Sequence, residues 1–370
     1  MATLGLIFSN ISDKEIFEVT KDRTIASTPI GGRYRLIDFS LSSMVNNGIS
    51  TIGVLTKNNY QSLMDHVGSG KDWDLARKNG GLVILPPYST GQGFYNSRLQ
   101  ALKSILSFIE KVKCEYVVLT DCYEVSTIDY KPIFKQHFST NADITVVYRE
   151  AYVDSDHYPY INIIELNDES RITSMKIKKD FKGHARLAND TWIMKKSLLL
   201  DLVQKAIKNN WTSFNRDILR NNLKELKIYG YHFTGYFGNI ASLQSYYKIN
   251  MDLLKEEVRN ELFNKPSLRI YTKVRDSAPT KYSDTATVVN SLIADGCVIE
   301  GHVQNSVLFR GTKVSKGAIV RNSILMQDTL VEQNKELNYI VTDKNVKIID
   351  TDKLIGQEKE VIYVKKNGVL

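Results

Sequence analysis

Between Ile30 and Thr56 the chain reads IGGRYRLIDFSLSSMVNNGISTIGVLT. A glycine-paired basic turn, an amphipathic helix and an apolar strand follow one another there without a break. Few folds accept that succession. Gly31 and Gly32 allow a tight backbone, because glycine enters conformations that a side chain resists. Arg33 and Arg35 place two guanidinium groups beside the turn, a natural setting for phosphate. Ile37, Leu41, Met44 and Val45 share one helical face. Asn47-Gly48 ends the helix, since a C-terminal cap favours a residue that tolerates the left-handed region. Ile52–Leu55 then reads as a buried strand.

The same alternation runs through the first two-thirds of the chain. Leu4–Phe8, Thr51–Thr56, Tyr116–Thr120 and Ile144–Tyr148 have strand patterns. Ser97–Lys111 carries Leu99, Leu102, Leu106 and Ile109 at helical spacing, and Asp201–Asn209 and Leu243–Leu254 also read as helices. Strands separated by helices imply a parallel, doubly wound sheet. Such sheets bind ligands beyond the carboxyl ends of their strands. The loop Pro86–Gly93 (PPYSTGQG) is expected at that edge.

The pattern changes after Leu268. Pro266 and Pro279 bracket an extended segment, and beyond it short apolar pieces alternate with single glycines or polar pairs. Gly296, Gly301, Gly311 and Gly317 recur at intervals near five, six or ten. That rhythm belongs to hexapeptide repeats, in which short strands and tight turns coil into a β-helix. The expected organisation is a first domain over 1–262, a linker over 263–284 and a β-helix over 285–370. An open end of the coil calls for a cap or a partner subunit.

Composition excludes several classes. The first ten residues, MATLGLIFSN, lack a basic leader and are too short for a signal core, so they read as a first strand. No apolar run approaches membrane-spanning length. Three well-separated cysteines, Cys114, Cys122 and Cys297, argue for a reducing cytoplasm. The histidines show no zinc-type spacing with cysteine. A net charge of +8 is spread along the chain with no stripe of basic residues and aromatics. Phosphorylated small molecules therefore fit better than nucleic acid.

Four segments carry a resemblance over nearly the whole chain: GGRYRLIDFSLSSMVNNGI at 31–49, EYVVLTD at 115–121, SLQSYYKINMDLL at 242–254 and NSLIADGCVIEGHVQNSVLF at 290–309. With these the chain resembles the bacterial glucose-1-phosphate adenylyltransferases (ADP-glucose pyrophosphorylases), and most of all their GlgD-type regulatory subunit. The resemblance implies an N-terminal Rossmann-like nucleotidyltransferase domain with a mixed, mostly parallel sheet. It also implies a C-terminal left-handed parallel β-helix and tetramers. The family reaction joins ATP to glucose 1-phosphate, giving ADP-glucose and pyrophosphate for glycogen biosynthesis.

That reaction needs a glycine-rich loop for the triphosphate, two carboxylates for Mg²⁺, and basic side chains for the remaining phosphate oxygens. The family's glycine loop has no counterpart, because residues 6–30 contain no glycine and Asp13, Glu15 and Glu18 add negative charge. Ile25 stands where the family carries a basic residue. Cys122 and Asn239 align with the two metal carboxylates, and Asp121 offers a substitute one position early. Successive strand residues face opposite ways, so that shift aims it elsewhere. No metal ligand set and no cofactor is therefore expected. The Glu-Lys-Pro motif that holds the sugar phosphate is missing, leaving Lys176, Lys178 and Lys179 in a basic turn. Trp192 replaces a small, glycine-containing stretch near the sugar pocket, and Asp217 matches a position near the sugar that also serves as a helix-start carboxylate. Arg23, Arg33 and Arg35 match positions that bind substrate or effector phosphates, and Lys344 matches a basic position of the effector site. His66 and His232 suit packing or hydrogen bonding.

The leading expectation is a non-catalytic or weakly active regulatory subunit, assembled with an active paralogue in a heterotetramer and open to a phosphorylated small-molecule effector. One alternative is an active adenylyltransferase using Asp121. A lower one is a hexapeptide-type acyltransferase, for which His302 would be the only histidine on the coil.

Overall fold

A computed structural model describes residues 2–9, 11, 16–87, 95–153 and 161–370. Asp13, Glu15 and most of the 86–93 loop lie outside the described residues. Among the described residues, nine strands form one mixed sheet: β1 (Thr3–Phe8), β2 (Thr51–Leu55), β3 (Gly81–Leu85), β4 (Tyr116–Asp121), β5 (Ile144–Val153), β6 (Ile161–Leu166), β7 (Ile172–Lys178), β8 (Gly183–Lys195) and β9 (Ile228–His232). The order is β7-β6-β8-β4-β1-β2-β3, with β5 paired to both β8 and β9. Strands β4, β1, β2 and β3 are mutually parallel, and β8 runs antiparallel to β4. Three of the strands read from the sequence, β1, β2 and β4, lie in the parallel block, and the fourth, Ile144–Tyr148, is the start of the long β5, which pairs antiparallel with β8.

Alternation along the strands sorts side chains into two layers. Leu4, Leu6 and Phe8 face the layer that contains Leu99, Leu119 and Trp192. Ile7, Val118 and Cys122 face the layer that contains Leu41, Met44 and Trp73. Helix α1 (Leu36–Asn46) covers the second layer, with Ile37, Leu41 and Met44 fully buried. The first layer is covered by α2 (Arg98–Ser104), α3 (Leu106–Lys111) and α4 (Lys196–Lys208). The single helix expected over Ser97–Lys111 is therefore two. Ile105 leaves helical geometry at φ −112°, ψ 16°, and a second helix starts at the next residue, Leu106, so that Leu99, Leu102, Ile105 and Ile109 all reach the core.

From Lys281 to Val364, three five-stranded parallel sheets wind as the faces of the expected left-handed β-helix. Val303, Val320, Leu337 and Leu354 stack 17 residues apart. At one corner Asn290, Asn305 and Asn322 adopt φ of 42°, 46° and 45°, the left-handed region that Asn tolerates best after glycine. Their amides form a ladder, Asn290 to Asn305 at 2.8 Å and Asn322 to Asn338 at 2.9 Å. The two domains share a core: Ile16, Val19, Leu36 and Phe39 pack in one cluster with Val307, Phe309, Ile324 and Met326.

Candidate functional site

The glycine turn sits where the domains meet. Pro29–Ile30 pairs with Tyr34–Arg35 as a short hairpin, and Gly31 and Gly32 take φ of +59° and +82°. A Cβ on Gly31 would lie 2.9 Å from Leu253, and one on Gly32 would lie 3.4 Å from the Leu308 carbonyl oxygen in the β-helix. The Gly31 amide donates to Asn250 Oδ1 at 3.0 Å. Gly32 thus permits close approach of the two domains, and Gly31 close packing on Leu253 within the first.

The arginines around the turn divide. Arg33 is exposed, its guanidinium 5.7 Å from the centre of its neighbour's ring, Tyr34. Arg35 is buried and donates through Nη1 to Ser27 O, Ser62 O and Ser62 Oγ, while its amide donates to Asp38 Oδ2. Asp38 Oδ1 lies 2.6 Å from His66 Nε2. Arg23 is buried too and donates to Asp343 Oδ1 at 2.6 Å, and Tyr363 donates to the other oxygen of Asp343. Lys344 follows Asp343 in the chain. Burial first, then the charges of Arg35, Arg23 and Arg275, bring the Lys344 ammonium down to about 7. Burial, together with Arg23 and Arg275, lowers Arg35 to about 10, with Asp38 acting the other way. The fold thus gathers Arg23, Arg35, Arg275 and Lys344 at the domain junction and leaves Arg33 outside. Asp343 offsets Arg23 and Asp38 offsets part of Arg35, and the positive charge that remains, partly desolvated, suits a small anion. Arg275 escaped the sequence reading because nothing in the extended segment sets it apart. Asp343, adjacent to Lys344, was the available signal.

A second site lies at the carboxyl end of β4. Asp121 faces the first layer, and its carboxylate accepts from Arg98 Nε at 2.5 Å. Arg98 Nη2 reaches Asp190 Oδ2 at 2.6 Å, on the neighbouring β8. Tyr123 Oη donates to the same oxygen, and Asn215 Nδ2 donates to Asp190 Oδ1 at 3.2 Å. Burial opposes the Arg98 charge, but Asp121 and Asp190 outweigh it and raise its pKa. Glu124, one turn further on, is pushed up to about 8 by burial and by Asp190 and Asp121. Cys122 turns the other way, into the second layer, and is fully buried. Asn239 pairs with Glu124 in a short ribbon, and its Oδ1 is buried with no hydrogen-bond partner. Ile25 is buried in the shared core of the domains.

The remaining candidates are structural where the chain places them. Trp192 is fully buried, stacked on Phe214 at 4.4 Å with Arg98 5.9 Å from its ring. A cavity between Tyr123, Arg149, Asp190 and Asn239 holds about 60 Å³, and a larger one of about 850 Å³ shares Phe237 and Asn239 with it. Asp217 accepts from the amides of Thr212 and Ser213 at 2.9 Å and from Arg216 Nε at 2.8 Å, which closes a helical turn. Its carboxyl falls to about 2, through Arg216 first and the amides after. Lys176 pairs with Glu165 on the surface, and Lys178 lies over Phe181. His232 stacks on Tyr148. Arg98 and Asp190 were missed. An arginine opening a helix, where the dipole disfavours a cation, and an aspartate inside the apolar run of β8 were the two signals.

The Mg²⁺ of the resembled family does not fit this donor set. Cys122 is enclosed in apolar side chains, Asn239 is neutral, and Asp121 is held by Arg98. Among the described residues no group of three His, Cys, Asp or Glu side chains is placed to hold a metal. No described helix is long and apolar enough to cross a membrane.

Family models match two parts of the chain: "Nucleotidyl transferase" over residues 12–256 and "GlmU-like, C-terminal hexapeptide" over residues 277–369. Among curated proteins the chain is similar to glucose-1-phosphate adenylyltransferases of Bacillus. It is 31% identical to that of Bacillus mycoides (strain KBAB4) over 363 residues, 97% of this chain and 96% of the relative. It is 31% identical to that of Bacillus cytotoxicus over 361 residues, 96% of this chain and 95% of the relative. The Bacillus anthracis enzyme matches at 31% over 363 residues, again 97% and 96%.

Proposed function

This chain belongs to the glucose-1-phosphate adenylyltransferase family, and we propose that within it the protein is a non-catalytic or weakly active regulatory subunit in ADP-glucose synthesis. One observation carries the reading. At the end of β4 the carboxylate nearest to a metal-binding role, Asp121, is engaged by Arg98, while Cys122 and Asn239 supply no charge. Adenylyl transfer without a cation on the phosphates forgoes the largest electrostatic contribution to its transition state.

The regulatory half of the proposal draws on the basic cluster. Arg23, Arg35, Arg275 and Lys344 come from both domains, so an anion bound there favours one arrangement of the domain junction. In a heterotetramer with an active paralogue, a phosphorylated small molecule at this cluster would shift the partner toward its competent state by its differential affinity for the two states. The assembly and the cytoplasmic setting are part of the same proposal.

The test is an assay of ADP-glucose formation by the purified chain, by the paralogue and by the two together. The lone chain is expected to show at most a trace of activity, and the mixture a turnover or effector response that differs from the sum of its parts. Robust Mg²⁺-dependent turnover by the lone chain would instead make it an adenylyltransferase in its own right.

A further inference from the structure

Strands β8 and β4 are antiparallel neighbours, with Trp192 opposite Leu119. The paired register ends there, and β8 is irregular between Ala188 and Trp192. Just beyond it, Asp121 and Asp190 each place Oδ2 on the same guanidinium, and these two carboxylates are almost fully buried, with 1% and 8% of their side chains exposed. Like charges held this close repel. The pair is tenable only with a cation between them. Arg98 is that cation. Its planar fork gives one nitrogen to each carboxylate, a geometry that a guanidinium supplies and an ammonium does not. Arg98 also stands in the first turn of α2, against the helix dipole, so the carboxylates compensate for its place in the chain.

We propose that Arg98 is a resident cation that takes the place of a divalent metal between Asp121 and Asp190 and keeps this strand-end cleft metal-free. The inference rests on, and gives a physical cause to, the reading of the chain as a poor catalyst. The ion-pair geometry supports it. Asp121 and Asp190 contribute two negative charges, and the Arg98 guanidinium lies between them with one nitrogen on each. A divalent ion entering this buried set would have to displace a guanidinium that is already paired on both sides. Mg²⁺ also demands oxygen ligands in a near-octahedral arrangement, and the oxygens that could begin one already accept from Arg98, Tyr123 and Asn215.

The experiment is a Mn²⁺ titration of the full-length chain followed by electron paramagnetic resonance, with folding checked by circular dichroism. Wild type is expected to show no saturable site that depends on Asp121 or Asp190. Arg98→Met removes the guanidinium while keeping an aliphatic side chain. It is expected to gain one Mn²⁺ site, tighter than any in wild type by on the order of tenfold or more. Adding Asp190→Asn to Arg98→Met abolishes that site, and Arg98→Lys, which keeps the charge, does not create it. A wild-type Mn²⁺ site lost in Asp190→Asn would overturn the proposal, as would a folded Arg98→Met that gains nothing. Should Arg98→Met fail to fold, Arg98→Gln, which keeps one hydrogen bond without the charge, decides between the same two outcomes. These results are independent of turnover: a lone chain that makes ADP-glucose defeats the regulatory reading, whereas only the Mn²⁺ titration defeats the role of Arg98.

Discussion

Lys344 is the residue whose state depends most directly on its neighbours. Its pKa near 7 means that it is protonated below that pH and neutral above, while Arg35, brought down only to about 10, stays charged over the same range. Binding of a dianion should therefore strengthen as pH falls through about 7. Sulfate, which stays dianionic over this range, is expected to raise the melting temperature more at pH 6.5 than at pH 8.5, compared with chloride at equal ionic strength. Lys344→Met should flatten that pH dependence and leave a weaker, constant effect. Asp343 is the matching counter-charge. Removing it as Asp343→Ala leaves Arg23 buried without its partner and deprives the Tyr363 hydroxyl of its acceptor, at a cost of about 3–5 kcal/mol in urea melts. Cys122→Asp, which would restore a carboxylate by alignment, places it among Ile7, Val118 and other apolar side chains. It is expected to cost roughly 3 kcal/mol or more in the same melts and to yield no activity. The sequence showed that Cys122 and Asn239 lack charge. It did not show where Asp121 points or what meets it, since Arg98 and Asp190 lie 23 and 69 positions away.

At the scale of the element, local pattern was a good guide. Short continuous apolar runs found β1, β2 and β4, which are buried on both faces, and period-3.6 spacing found α1, because burial is written in the residues themselves. The break at Ile105 was not legible. Leu99, Leu102, Leu106 and Ile109 satisfy one continuous helix as well as two short ones, and only the packing shows that Ile105 joins the core at the break. In the β-helix the glycine spacing announced the coil, but the asparagine corner went unread as a ladder. Asn322 combines a left-handed backbone with an amide bond to Asn338. Asn322→Ala should therefore cost about 1–2 kcal/mol in thermal melts, and Asn322→Gly less, because glycine keeps the conformation and loses only the bonds.

For the whole molecule, the shared cluster of Ile16, Val19, Leu36 and Phe39 with Val307, Phe309, Ile324 and Met326 makes the two domains one cooperative body. A large apolar contact of this kind opposes independent domain motion. Calorimetry of the intact chain is expected to show a single transition. Two well-separated transitions would mean that the junction is too weak to relay the state of the basic cluster.

The sequence by itself determined the kinds of elements, their succession, the change from an alternating domain to a coil, and the loss of charge at Ile25, Cys122 and Asn239. The elements follow from local periodicity, and the missing charges from the positions that the family resemblance assigns. Only the tertiary structure decided that Arg23 and Arg35 join Arg275 and Lys344 while Arg33 does not, that the glycine turn serves domain packing, and that Arg98 bridges Asp121 to Asp190. The reason is physical. Buried charges are fixed by whichever partners the sheet order brings within hydrogen-bond reach, and that order sets together residues far apart in the chain.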